Sequence, residues 1–165
     1  MGIESPWHVI DVRLDAPPAT VEVVVEFHGE PCCPCCTKAS ACYENRRRVF
    51  RHLDTYQYKT HLLIDVPWIE CEEYGVMQID ISWAERNSRF TALLKCMVIE
   101  WLKEANFSTV ARRMNLGWDE VDGIISRAAA RGLVRGEKIS PTRIGVDKTS
   151  FQKRHACQSP SPRWI

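Results

Sequence analysis

The sequence predicts an α+β chain in which a small β-rich module precedes a unit of three helices. In the first part, apolar residues alternate with polar ones in runs rich in Val, Ile and Thr, the pattern of strands with one buried face. From Ser88 the period changes. Phe90, Leu93, Leu94, Met97, Val98 and Trp101 fall at i, i+3, i+4, i+7, i+8 and i+11, an amphipathic helix of about 14 residues. Eight cysteines, most of them bunched in the first module, add the prospect of metal chemistry.

Trp7–Asp15 and Thr20–Phe27 are both β-branched and alternating, and Ala16–Ala19 ("APPA") separates them. They read as a hairpin with a longer loop. Tyr58–Cys71 supplies a further strand or two, with Pro67 suggesting an edge or a break. Beyond the first helix, Ser108 is a suitable cap for a short helix over Thr109–Met114. Asn115–Gly117 breaks it, and a third helix runs over Trp118–Arg131 and ends at Gly132. Its inner face is Val121, Ile124, Ile125 and Ala128; Trp101 and Trp118 are expected in the core. These boundaries divide the chain into residues 1–80, 81–135 and a linker with a further strand over 136–165.

A length of 165 residues allows one domain or two small ones, and 45% hydrophobic content is ordinary for a globular chain. No apolar run is long enough to span a membrane. The N-terminal residues lack the basic start and apolar core of a signal peptide, so the expected location is cytoplasmic. The net charge of +1 conceals a gradient: Met1–Glu30 has six acids and one Arg, whereas Lys103–Arg154 has eleven bases and six acids. A basic half suits a polyanion partner, although an ordinary solvated surface has the same composition.

With no signal sequence, clustered cysteines are more consistent with metal ligation than with disulfides. "PCCPCC" holds two overlapping C-x-x-C pairs, Cys32/Cys35 and Cys33/Cys36. Two thiolates at that spacing chelate one zinc from a tight turn, and tetrahedral zinc needs four ligands. Just beyond, Arg46, Arg47, Arg48 and Arg51 stand beside Tyr43 and Phe50. They read either as a phosphate-gripping strand or as a solvated strand face with His52 satisfied in a small core.

Three helices with a short second member and a three-residue turn fit a helix-turn-helix, in which the second helix of the pair enters the major groove. A small helical bundle without DNA binding would have the same pattern. Arg112, Arg113, Arg127 and Arg131 would make the DNA contacts, the last two lying four residues apart on one helix face. Against this, Asp119, Glu120 and Asp122 open the third helix; acids there suit the helix dipole but repel phosphates. A rival reading makes that helix a dimerisation surface.

Toward the C-terminus, Ile144-Gly145-Val146 reads as a short strand that delivers Asp147 at its end, with Lys148, Lys153, Arg154 and His155 nearby. A carboxylate at a strand end is a usual metal ligand for phosphoryl transfer, but a two-metal site needs several. The ten residues after His155 contain no Asp or Glu.

Three segments together, Phe50–Asp54 ("FRHLD"), Ser88–Ile125 and Arg143–His155 ("RIGVDKTSFQKRH"), resemble the N-terminal part of insertion-sequence transposases of the ISL-three family, over Trp7 to His155. The resemblance implies a zinc-ribbon-like Cys module, a helix-turn-helix region that binds DNA, and the orphan first strand of an RNase H-like core with a DDE metal triad. By the same resemblance the zinc ligands are Cys33, Cys36 and Cys71. Tyr74 stands where the family carries a fourth Cys or His, which leaves Cys32, Cys42, His52 or His61 as possible replacements. Asp147 corresponds to the first triad Asp, and the counterparts of the second Asp and the Glu are absent. Mg would matter only to a complete core. The expectation is a catalytically inactive fragment, shortened by a frameshift or early stop. It would bind double-stranded DNA at transposon ends, alone, as a homodimer or with intact transposase copies. The alternatives are a free-standing zinc/helix-turn-helix regulator and a protein-interaction module.

Overall fold

The structure, a computed structural model, describes residues 2–15, 17 and 19–136. Asp147 and the strand expected ahead of it lie outside the described residues. Packing divides the chain into two compact units, Met1–Ala129 and Ala130–Ile165. Of the second, the described part is a helical end in which the Gly136 N–H donates to Gly132 O at 2.8 Å.

The first unit opens with β1 (Trp7–Asp15), β2 (Thr20–Phe27), β3 (Cys42–Arg51), β4 (Lys59–Cys71) and β5 (Gly75–Gln78). They form one sheet in the order β1-β2-β4-β3, with β5 also paired to β4. β1 and β2 make the expected antiparallel hairpin, bulged between Val9 and Asp11. β4 runs parallel to β2 and antiparallel to β3 and β5.

Pro67 neither breaks β4 nor marks an edge. β2 pairs with β4 only as far as Ile64, β5 takes over at Trp68, and Pro67 O accepts from the Ile79 N–H at 3.3 Å. A strand residue points its N–H and C=O to the same side. The donor that proline lacks would therefore have faced the interval between these two partners, where the loss costs no ladder bond.

β4 buries Thr60, Leu62, Ile64 and Val66, and beyond Pro67 it buries Ile69 and Cys71. These residues pack in one core with Val21, Val23 and Val25 of β2 and Phe50 of β3. Each large side chain buried there contributes about 1.5–3 kcal/mol, which makes β4 the main apolar support of the sheet. Trp83 meets Phe50 and Trp7 edge-on, with centroids at 5.3 and 6.0 Å, the arrangement favoured by ring quadrupoles. Ile81, Trp83 and Ala84, past the boundary expected at Asp80, belong to this core as well.

Three helices follow: α1 (Ala92–Glu104), α2 (Phe107–Met114) and α3 (Trp118–Arg135). Thr91 Oγ1 caps α1 by accepting from the Leu94 N–H. α2 starts two residues before the expected Thr109, because Asn106 and not Ser108 is its cap; Asn106 Oδ1 accepts from the Thr109 N–H at 2.9 Å. α3 passes through Gly132 to Arg135, since one helical glycine costs only about 1 kcal/mol relative to alanine. The bundle core is Phe90, Leu94, Val98, Val110, Ala111, Met114, Val121 and Ile124, with Leu53 packed against it. Leu93 and Met97 are exposed at 42% and 39%. The buried seam of α1 is the i, i+4, i+8 row and not the full apolar stripe. No helix among the described residues is long and apolar enough to cross a membrane.

Two substitutions separate packing from helix propensity. Leu94 is fully buried, so Leu94→Ala lowers unfolding free energy by about 2–5 kcal/mol in urea melts. At Gly123 an added Cβ would meet the Arg127 guanidinium at 3.6 Å, an ordinary contact. Gly123→Ala therefore raises stability by about 0.5–1 kcal/mol.

Candidate nucleic-acid interface and metal centre

α2, the turn Asn115–Gly117 and α3 have the form of a helix-turn-helix. Asn115 takes a left-handed conformation at φ 52° and ends α2, its N–H donating to Ala111 O and Arg112 O. Asparagine tolerates that conformation better than most residues. Gly117 then begins α3: its carbonyl accepts from the Glu120 and Val121 N–H groups, while Glu120 Oε2 accepts from the Gly117 N–H at 2.8 Å. That is half of a capping box. Arg89 approaches the same carboxylate at 3.4 Å. One of the three acids opposed to phosphate contact thus closes the turn and is partly neutralised. Asp119 is exposed and Asp122 half-buried.

Arg112 is exposed in the last turn of α2. Its neighbour Arg113 stacks its guanidinium 4.2 Å from the Trp101 ring centre. Arg127 is exposed on α3 and lies back over Gly123. Arg131 is on the same helix within the second unit. Trp118, expected in the core, is 56% exposed and rests against Phe107 with ring centres 5.7 Å apart.

The four arginines of β3 do not form one row. Arg46 and Arg48 pair with buried Val66 and Ile64 and so lie on the core face of an edge strand, whereas Arg47, opposite Asp65, lies on the other. Arg46 stacks 4.0 Å over Trp68 and pairs with Glu44. Arg48 lies over Phe50 and donates to Gln78 Oε1 and Ser88 O, each at 2.9 Å. Arg47 makes a bidentate pair with Asp65 at 2.8 and 3.0 Å; the hydrogen bonds raise the arginine pKa and lower that of the carboxyl. Arg51 departs from the expected phosphate contact. It is buried, donates to His52 O and Thr60 O, and pairs with Asp54.

The tertiary structure brings Lys59 and His61 of β4 near Arg89, beside Asn115 and Glu120 at the turn, around one cleft. Sequence reasoning missed Lys59 and Arg89, because neither lies in a charged run and only strand pairing makes them neighbours. His52 is buried, with Nδ1 3.0 Å from Thr91 Oγ1. Burial lowers the pKa of His52 and of His61, with a smaller contribution from the Arg51 charge in each case.

Cys33 and Cys36 sit on a tight knuckle between β2 and β3. Thr37 N–H donates to Cys33 O at 2.8 Å and Cys33 N–H to Lys38 O at 2.9 Å. Cys71 ends β4, and Gly75, at φ +71°, turns the chain into β5, a conformation that costs L-residues about 1–2 kcal/mol. The three sulfurs lie within 4.8 Å of one another, with Cys36 and Cys71 3.7 Å apart. Lys38 and Glu73, one from each turn, pair across them at 2.8 Å. The Cys36 N–H donates toward the Cys33 sulfur and brings its pKa down to about 7 despite burial. The Lys38 N–H favours the Cys36 thiolate too, but burial and the neighbouring sulfurs outweigh it and the pKa rises. Of the two overlapping pairs, the fold therefore selects Cys33/Cys36.

The donor set fits a thiophilic ion. A tetrahedral ion with metal–sulfur bonds of about 2.3 Å has its ligand sulfurs about 3.8 Å apart, close to the Cys36–Cys71 spacing. None of the expected replacements for Tyr74 joins the cluster. Cys32 and Cys42 are exposed and donate to the carbonyls of Glu30 and Glu44, His52 is bonded to Thr91, and His61 lines the cleft by the helical turn. Tyr74 is 52% exposed.

The two lowered histidine pKa values set a pH dependence. The unfolded chain protonates at about pH 6.5 and the folded chain only below it, so the unfolded state binds more protons in between. The contribution of these two histidines to stability in urea melts is therefore lost as pH drops below 6.5. His52→Gln, with one titrating group fewer, shows a shallower fall.

Residues 79–129, which are 51 of the 165, match the family model described as the helix-turn-helix domain of transposase family ISL3. The likeness suggests a DNA-binding role in transposition. No curated protein and no solved structure matches the chain.

Proposed function

We propose that this chain binds the end DNA of an insertion element through its helix-turn-helix, with the thiolate cluster holding a structural zinc ion. The observation that carries the reading is α2–turn–α3 itself, closed by Asn115 and Glu120, within the residues that match a transposase helix-turn-helix domain. In this reading α3 enters the major groove. Arg112, Arg113, Arg127 and Arg131 make phosphate or base-edge contacts, and Arg46 and Arg47 extend them. Arg48 and Arg51 act by holding the fold.

Zinc would be held by Cys33, Cys36 and Cys71 and would join the knuckle to the β4–β5 turn. Because such a site is absent from the unfolded chain, binding the ion stabilises the fold directly. Asp147 stays in the proposal only as a family counterpart, the first carboxylate of a metal triad.

The test is binding to duplexes from element ends and to scrambled duplexes over a salt series. End duplexes bind more tightly, and log K falls with log salt by about 0.9 per phosphate contacted. Arg127→Ala weakens binding and reduces that slope by about one contact if it meets phosphate. Equal binding to both duplexes, or none at low salt, would replace the reading with a protein-interaction module, for which exposed Asp119 is the favouring feature. In a separate thermal melt, adding a zinc chelator lowers the transition temperature of the metal-loaded protein. An unchanged melt would remove the structural ion.

A further inference from the structure

Three cysteines leave one corner of a tetrahedral site open, and a thioether is beside it. Met77 Sδ lies 3.7 Å from Cys33 Sγ. We propose that Met77 is the fourth ligand, which makes the centre a Cys3Met site for a thiophilic d10 cation; the inference rests on the metal reading given above.

Two sulfur pairs carry the argument. Cys36–Cys71 and Cys33–Met77 are each 3.7 Å apart and share no atom. Both match the length required of opposite edges of a tetrahedron, since an ion with metal–sulfur bonds of about 2.3 Å has edges of about 3.8 Å.

Backbone register delivers Met77 to this place. Cys71 pairs with Gly75 and Ile69 with Met77, so Met77 and Cys71 point to the same face of the β4–β5 ribbon. Gly75 makes the short turn possible. Met77 is half-buried against the core that contains Cys33 and Cys71, with Cys36 packed against it. Tyr74, at the tip of the same turn, points into solvent. The fourth donor has thus moved from the tip of the turn to the strand beyond it.

A thioether is neutral and soft. With a divalent ion, three thiolates and Met77 leave a net charge of −1, where a fourth thiolate would leave −2. The site consequently favours thiophilic ions and holds zinc less tightly than a four-thiolate site does.

The test uses the full-length protein loaded with Zn²⁺ or with Co²⁺. Zinc-edge X-ray absorption of the wild type should count four sulfurs. Three sulfurs and one lighter atom would overturn the assignment without any variant. In Met77→Leu, a near-isosteric change that keeps the core filled, the thiolate-to-cobalt band persists, the d–d bands shift, and Co²⁺ affinity falls. The fall should be at least the roughly 10–100-fold that follows loss of an outer-shell partner. Met77→Cys should bind more tightly than wild type. Equal affinity and spectra in wild type and Met77→Leu would make Met77 a packing residue only. Failure of the wild type to bind either ion would instead overturn the metal reading itself, and the fourth ligand with it.

Discussion

At Arg51 the edge strand β3 leaves the sheet, and there the chain that leads into the helices is fastened to it. The Arg51 N–H donates to Arg89 O at 2.8 Å, and the Thr91 N–H donates to Arg51 O at 3.1 Å. Thr91 then serves three groups. Its amide continues the β ladder, its hydroxyl caps α1 at Leu94, and the same oxygen meets His52. This suits a neutral imidazole, since the oxygen that accepts from Leu94 keeps its own hydrogen to donate. The contacts are buried, where an unmade hydrogen bond costs most, so the start of α1 has little freedom. Lys95, one turn into α1, is itself buried and pairs with Glu85 at 2.7 Å as a second tie.

β4 links the two chemical regions of the first unit. Its thirteen residues, at about 3.3 Å each, span roughly 40 Å. Lys59 and His61 at one end face the helical turn, and Cys71 at the other meets the Cys33/Cys36 knuckle. The cysteine cluster is therefore far from the helix-turn-helix along this strand.

Charge is handled locally throughout this unit. Arg46, Arg47 and Arg48 of β3 are engaged by Glu44 and Trp68, by Asp65, and by Gln78 and Ser88. A guanidinium with a partner is still a cation, but exposed pairs are weak and exchange for phosphate more easily than buried ones. By that criterion Arg47 remains available, whereas Arg51, closed over backbone carbonyls, does not. The helix carrying Asp119 and Glu120 follows the same logic: Glu120 is spent on Gly117 and Arg89, and Asp119 faces solvent.

Much of this was legible in the sequence because it depends on short-range patterns. Alternating Val and Ile mark β1, β2 and β4, the change to a helical period marks α1, and Asn115–Gly117 marks the turn before α3. The partnerships were not legible, because pairing between distant strands decides them. Nothing in the order of residues says that β4 lies parallel to β2, that Pro67 falls between two pairing partners, or that Asn106 caps α2 in place of Ser108. Likewise, the row Arg46–Arg48 is continuous only in sequence; on a strand, neighbours point to opposite faces, and the tertiary structure then gave each a different partner. The cysteine spacing by itself offered two overlapping pairs on one tight turn. Only the tertiary structure decided that Cys36 meets Cys71 and that Met77, set on the face of Cys71 by the register of β4 against β5, meets Cys33, since a side chain's face is set by its cross-strand partner and not by its distance along the chain.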